Sequence, residues 1–159
     1  MFTAEGGQLT ASGARVIGQV VPYLGKYGIS KNPESFAFKG MRKYFADKNR
    51  GCILRLSRDG ITEISQAGMR GYFKDNLALS DKIVGAYDDD QDAYVVSLQG
   101  SSIQTTYDTL SFDEQAKGWV SFYNYKPVFA FSLNKNYYSI HGNDVWKHYD
   151  DSLYNSFYT

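Results

Sequence analysis

The stretch Tyr44-Phe45-Ala46-Asp47-Lys48-Asn49-Arg50-Gly51-Cys52-Ile53-Leu54-Arg55-Leu56-Ser57-Arg58-Asp59-Gly60-Ile61-Thr62-Glu63-Ile64 sets the fold class. An aromatic run ends at Asp47, a polar tight segment follows, and a β-prone run resumes at Cys52. Asp59-Gly60 then separates that run from Ile61 to Ile64. Asp-Gly between two β-prone runs is a strong hairpin signal, because both central positions of the favoured two-residue turn need φ > 0. The stretch therefore predicts strand, turn, strand, hairpin and strand in quick succession, a dense antiparallel meander.

The same design recurs outward from this point. Upstream, Phe36 and Phe38 alternate with small residues, a strand signal. Downstream, Ile83 to Tyr87 leads into an acidic turn, Asp88 to Asp92, and out through Tyr94 to Leu98. Thr109 to Phe112 leads through Asp113 to Gly118 and into Trp119 to Phe122. Phe129 to Leu133, a turn at Asn134 to Asn136, Tyr137 to Ile140, a turn at His141 to Asp144, and Val145 to Tyr149 complete the series. Asp47, Asp88 to Asp90 and Asp113 hold comparable places in three of these units. One helix interrupts them. Met69, Tyr72, Phe73, Asn76 and Leu77 fall at i, i+3, i+4, i+7 and i+8, which predicts a short helix around residues 68–79 packed on a sheet. Gly68 and Gly71 keep it short.

Repeated meanders of this kind are what β-propeller blades look like in sequence. A blade takes about 40 residues and at least about four close a ring. The 159 residues hold about three blades' worth of strands, with a helix and an irregular start besides. The expectation is a mainly β fold of antiparallel meanders resembling propeller blades over residues 28–159, preceded by an N-terminal arm, residues 1–27. In that arm Ala14 to Val21 reads as a strand ending at Pro22, available to pair with another chain. Open sheet edges in an incomplete ring invite aggregation unless covered. Neighbouring chains, or the rest of a longer polypeptide, are expected to complete the structure.

Composition narrows the function classes. Seventeen Lys and Arg balance 17 Asp and Glu. Zero net charge supplies no long-range field to hold nucleic acid or an anionic membrane. It also does little to keep copies apart, which suits an assembled protein. No apolar run approaches a bilayer-spanning length, and the start lacks the basic and apolar regions of a signal peptide, so the chain reads as made in a cytoplasm. Cys52 is the only cysteine, which excludes an internal disulfide and a cysteine zinc cluster. In its apolar run it reads as a small buried hydrophobe. Fourteen Tyr and ten Phe fit a tyrosine-rich β core, a large contact surface, or both.

Two resemblances add to this. The run Tyr44 to Gly60 resembles a β-propeller repeat of the NHL or YWTD type, which implies a blade and no chemistry. Gly28-Ile-Ser-Lys-Asn-Pro-Glu-Ser-Phe36, followed by that run, is similar to a segment of large virion structural proteins of tailed bacteriophages, of the T4-like cyanophage and crAss-like types. Thr109-Leu-Ser-Phe-Asp-Glu-Gln-Ala-Lys-Gly-Trp-Val-Ser-Phe122 and Phe131-Ser-Leu-Asn-Lys-Asn-Tyr-Tyr-Ser-Ile-His-Gly-Asn-Asp-Val-Trp146 extend the similarity over most of residues 28–149. The resemblance implies a structural part of a tail, neck or baseplate, located in the virion, with other virion proteins and copies of itself as partners. The relatives it points to are much longer chains, and it implies no catalytic residues and no cofactor.

The candidate chemistry is thin beside its plainer readings. Asp88, Asp90 and Asp92 have the alternating spacing of a calcium loop's first ligands. Ala93 stands in place of the turn glycine and Gln99 in place of the closing Glu, so a solvated turn is the expectation. Weak calcium binding would need oxygens from a neighbouring loop. Asp113 and Glu114 could supply carboxylates for glycoside hydrolysis, but adjacent strand residues point to opposite faces. His141 and His148 lack a third clear ligand. Trp119, Phe122, Tyr123, Tyr125, Tyr137, Tyr138 and Trp146 are the interface candidates, either as core plus subunit contact or as a platform for a host surface glycan. Strand alternation buries about half of such a set. The expectation is a non-enzymatic assembly protein, with a receptor- or carbohydrate-binding module as its rival.

Overall fold

The computed structural model describes residues 2–5, 8–11, 22–29, 31–100 and 107–152. At the N-terminus, β1 (Phe2–Glu5) and β2 (Gln8–Ala11) pair antiparallel with each other. The predicted strand Ala14 to Val21 lies outside the described residues.

The rest is three antiparallel sheets in which every strand pairs with its neighbours in sequence. The first sheet runs β3 (Ala37–Lys39), β4 (Arg42–Asp47), β5 (Cys52–Ser57), β6 (Gly60–Glu63). The helix α1 (Arg70–Leu79) follows. The second sheet runs β7 (Ser80–Asp88), β8 (Ala93–Gly100), β9 (Tyr107–Asp113), β10 (Gly118–Tyr123). The third runs β11 (Phe129–Leu133), β12 (Asn136–His141), β13 (Asp144–Lys147). The meanders predicted from the sequence are therefore present, and the one α-helix among the described residues falls inside its predicted span.

The repeated aspartates have a structural cause. Asp47 pairs with Cys52, Asp88 with Ala93 and Asp113 with Gly118, so each closes a hairpin over four loop residues. In each, the aspartate's Oδ1 accepts backbone N–H groups of its own loop: Arg50, then Asp90 and Gln91, then Gln115 and Ala116. In each, the last loop residue (Gly51, Asp92 or Lys117) takes the left-handed φ that returns the chain to the sheet. Asp side chains suit this because they bond the backbone two or three residues on. The hairpin at Gly60 departs from the simplest expectation. Ser57 pairs with Gly60, and Gly60 alone takes positive φ, at +112°. The turn thus sits one residue earlier, on Arg58 and Asp59, with Gly60 as its exit.

The sheets stack face to face with the second in the middle. Ile83, Tyr87, Tyr94, Val96, Leu98, Leu110 and Phe112 share one face of it, by the two-residue period of strands. They pack with Ala37, Tyr44, Ala46 and Ile53 of the first sheet, and with Phe73 and Leu77 of α1. On its other face Ala86 and Val95 pack with Tyr125 and with Ala130 and Tyr137 of the third sheet. The first strands β3 and β7 touch, as do β7 and β11. Three meanders with adjoining first strands and faces packed in order are compatible with successive propeller blades. Full burial of Phe73 or Leu77 contributes roughly 1.5–3 kcal/mol each.

One close approach joins the first two sheets. Ser35 ends the 3₁₀ turn Pro33–Ser35; its Oγ donates to Asn32 O (2.7 Å) and accepts Ala46 N–H (3.0 Å). Its carbonyl accepts the Tyr94 hydroxyl at 2.8 Å. That carbonyl lies where a Cβ on Gly85 would be, 2.0 Å from the ideal position. A glycine inside a strand often marks such an approach of backbone to backbone.

Candidate functional site

The acidic turn after β7 is built from the inside out. Asp88 is fully buried; besides its two loop N–H groups it accepts the Tyr149 hydroxyl on Oδ2 at 2.7 Å. Burial pushes its carboxyl above the usual range, against the pull of those donors. Asp92 accepts the Tyr87 hydroxyl at 2.8 Å, and Asp90 accepts Gln91 Nε2 at 2.8 Å. The three carboxylates proposed as calcium ligands are thus each directed to a different donor. Among the described residues no group of three His, Cys, Asp or Glu side chains is placed to hold a metal ion. The turn is a tie between sheets: Asp89 N–H donates to Ser132 Oγ on β11, and Lys39 of β3 meets Asp89 at 2.6 Å.

Asp113 and Glu114 diverge. Asp113 closes its own hairpin, while Glu114 reaches the first sheet. Its Oε1 accepts the Tyr44 hydroxyl at 2.6 Å and its Oε2 accepts Arg55 Nη1 at 2.9 Å, with Arg42 at 3.7 Å. Tyr44 stacks on Tyr94 at 4.9 Å and Tyr87 at 5.6 Å. Desolvation, and then the bond to Glu114, raise the Tyr44 hydroxyl so that it remains a donor. The sequence reading missed this clamp. Its signal was Arg55, a charge paired across the strands with inward-facing Tyr44 and so in need of an inward partner.

The two histidines are engaged separately. His141 Nδ1 lies 2.9 Å from Lys126 O; His148 Nε2 lies 2.7 Å from Ser139 Oγ. Ser139 is fully buried, and burial lowers His148 to about 4. The His148–Ser139 contact ties the residue after β13 to the middle strand of the third sheet.

The aromatic set splits between places. Trp119 belongs to the core between the first and second sheets, 4.5 Å from Phe73, its indole N–H donating to Ile64 O at 3.1 Å. Tyr125 and Tyr137 are buried between the second and third sheets, and Tyr123 packs beside them. Trp146 is half-buried opposite Ser139, and Phe122 is 60% exposed against Tyr72. These side chains therefore divide between the two cores, with Phe122 exposed and Trp146 half-buried. Tyr138 alone turns to an outer face.

That outer face is the notable surface. With Ala130 and Tyr137 turned inward, alternation puts Phe129, Phe131 and Leu133 of β11, Tyr138 and Ile140 of β12 and Val145 of β13 on the far side of the third sheet. Phe129, Leu133 and Val145 are about half exposed or more, and Phe131 stacks on Tyr138 at 5.5 Å. At the opposite end, the far side of the first sheet carries Phe38, 65% exposed, with Phe45, Leu56 and Ile61 half-buried and Leu54 buried. Exposed Phe36 lies 6.4 Å from Phe38. A separate cleft of about 400 Å³ is lined by Tyr27, Arg50, Cys52, Glu63, Arg70 and Lys74. Burial, then the charges of Glu63 and Asp47, push the Cys52 thiol up to about 12, which leaves it no nucleophile. No helix among the described residues is long and apolar enough to cross a membrane. No protein-family model matches the chain, and no curated protein matches it in sequence.

Proposed function

We propose that this chain is a structural component of a tailed-phage virion, in the tail, neck or baseplate, and that it acts through protein–protein assembly. The observation that carries the assembly reading is the outer face of the third sheet, where Phe129, Leu133 and Val145 are exposed beside half-buried Phe131, Tyr138 and Ile140, with Asn136 and Lys147 on the same side. Apolar side chains exposed together on one face mark interaction sites. The balanced charge favours close packing of chains. The virion setting rests on the resemblance of the segments within residues 28–149 alone. A receptor- or carbohydrate-binding module remains the rival reading, with fewer rings to offer than the sequence suggests, because Tyr125 and Tyr137 are buried between sheets.

The test is particle association. Phage particles from cells expressing the chain are banded on a density gradient, and their proteins are identified by mass spectrometry. The chain is expected in the band at a fixed ratio to the other particle proteins. Recovery only in the soluble lysate would sink the reading.

A further inference from the structure

We infer that the clefts beside the start of α1 form a site for a phosphate group, carried free or on a small organic molecule. The site is built on other elements than the outer face of the third sheet, so it stands apart from the assembly reading. Three segments build it. Gly51 ends the turn between β4 and β5 with φ at +65°, and a Cβ there would lie 2.9 Å from Lys74 Cα. That close approach sets α1 directly against the hairpin turn. Arg70 and Lys74 are four residues apart on α1 and so share one face of it. Both line a cleft of about 400 Å³, together with Arg50 of the hairpin turn and Tyr27 of the segment ahead of the first sheet. A second cleft of about 400 Å³ shares Tyr27 and Arg50 and adds Lys26, Asp47 and Asn49.

Charge selects the ligand. The chain as a whole has no net charge, but here four cations (Lys26, Arg50, Arg70 and Lys74) face two carboxylates (Asp47 and Glu63), a surplus of two positive charges. Both carboxylates are occupied. Asp47 is buried and accepts the N–H groups of Gly28 at 2.9 Å and Arg50 at 3.2 Å. Glu63 accepts the Ser65 hydroxyl at 3.2 Å and Gln66 Nε2 at 2.9 Å. Arg70 and Lys74 have no ion-pair partner among the described residues. Arg50 is held by one edge: its Nε donates to Lys26 O at 2.5 Å, Asp47 lies 3.6 Å away, and the guanidinium carbon sits 5.7 Å from the centre of the Tyr27 ring. Its two Nη groups make no hydrogen bond among the described residues. A guanidinium held in place with its fork free is suited to planar, bidentate recognition of phosphate. A phosphate group brings roughly −1.5 to −2 charges near pH 7 and several strong acceptor oxygens, which matches the surplus and the three cations around the first cleft. The volume of that cleft falls in the lower part of the range for small-molecule sites, roughly 300–1,000 Å³. The second cleft leaves room for an organic substituent.

The experiment is a titration of the full chain at fixed ionic strength with inorganic phosphate, glycerol phosphate and acetate, followed by backbone amide chemical shifts in NMR. Arg50→Gln, Arg70→Gln and Lys74→Gln are the cleft variants, and Arg58→Gln, an exposed cation on the turn after β5, is the control. Thermal melts check that each variant folds. The expected result is saturable shifts at the Gly51 and Gly71 amides with phosphate, and acetate at least about tenfold weaker. Each cleft variant should weaken phosphate binding about tenfold, the size of one lost charged hydrogen bond, and the control should bind like the parent. Glycerol phosphate that binds tighter than inorganic phosphate makes an organic phosphate the ligand; equal or weaker binding makes it the free ion. Shifts that never saturate with either phosphate, or that saturate only away from the cleft, overturn the site. So does acetate that binds as tightly as phosphate, a control that weakens binding as much as the cleft variants, or cleft variants that bind like the parent. None of these outcomes bears on particle association, which the gradient experiment decides separately.

Discussion

Asp47, Asp88 and Asp113 close hairpins of the same length, yet their turns are buried to different depths. Asp113 is partly exposed and serves two N–H groups that water could also reach. Asp88 is fully buried and serves two N–H groups and the Tyr149 hydroxyl. Leaving a buried donor unmade costs about 1–3 kcal/mol, and an exposed one much less. Asp88→Ala should therefore lower unfolding free energy by about 3 kcal/mol and Asp113→Ala by about 1 kcal/mol. Urea denaturation measures both; equal losses would mean that the burial of Asp88 adds nothing. Asp88→Asn should fall between, because it keeps an acceptor and sheds the charge that burial penalises. The sequence showed these aspartates as a recurring mark, and it showed Asp88, Asp90 and Asp92 with the spacing of calcium ligands. It could not show that Tyr149, 61 residues away, donates to Asp88, because a pairing of that range is set by how sheets stack.

At the scale of elements, local rules carried the reading where one segment decides its own shape. The helix was legible because Phe73 and Leu77 sit at helical spacing, and both are buried. Phe36 and Phe38 marked a strand correctly, but alternation says only that two rings share a side. Ala37 takes the inward place and Phe38 stays exposed. Next to β3 runs a tight seam, where the Ser35 carbonyl lies against Gly85 and accepts the Tyr94 hydroxyl. The seam also gives a sharp prediction. A methyl on Gly85 would sit 2.0 Å from Ser35 O and 2.8 Å from the Tyr94 hydroxyl, and neither is the end of a flexible chain free to move. Gly85→Ala should cost about 3 kcal/mol, the upper range for forcing extra carbon into a packed core. It should also loosen β3 from β7, seen as faster amide exchange at Ala37 and Ala46. A loss under about 0.5 kcal/mol, the size of an ordinary surface change, would mean the seam is compliant.

At the scale of the whole molecule, the second sheet is held on both faces, and the two cores that hold it differ in chemistry. The core against the first sheet is large and mostly apolar. The core against the third sheet is small and rich in tyrosine, with the His148 ring 4.6 Å from Tyr125 and 5.0 Å from Tyr137. Burial holds His148 at about 4, below its ordinary 6.5. Between those values the unfolded chain takes a proton that the folded chain refuses. Stability from this group is therefore complete above about pH 6.5 and declines as pH falls toward about 4. Asp88, raised by burial, works in the opposite direction, since the folded chain holds its proton more readily than the unfolded one. The informative quantity is thus the melting temperature of the parent minus that of His148→Gln, which cannot titrate but keeps a partner for Ser139. The difference should be flat above pH 6.5 and should move against the parent on the way to pH 4. The smaller core should also yield first, so amides of β11 to β13 should lose protection before those of β7 to β9. If the difference stays flat, His148 is hydrated in the folded chain. If the amides are lost together instead, the third sheet is bound as firmly as the first, and the stack breaks as one body.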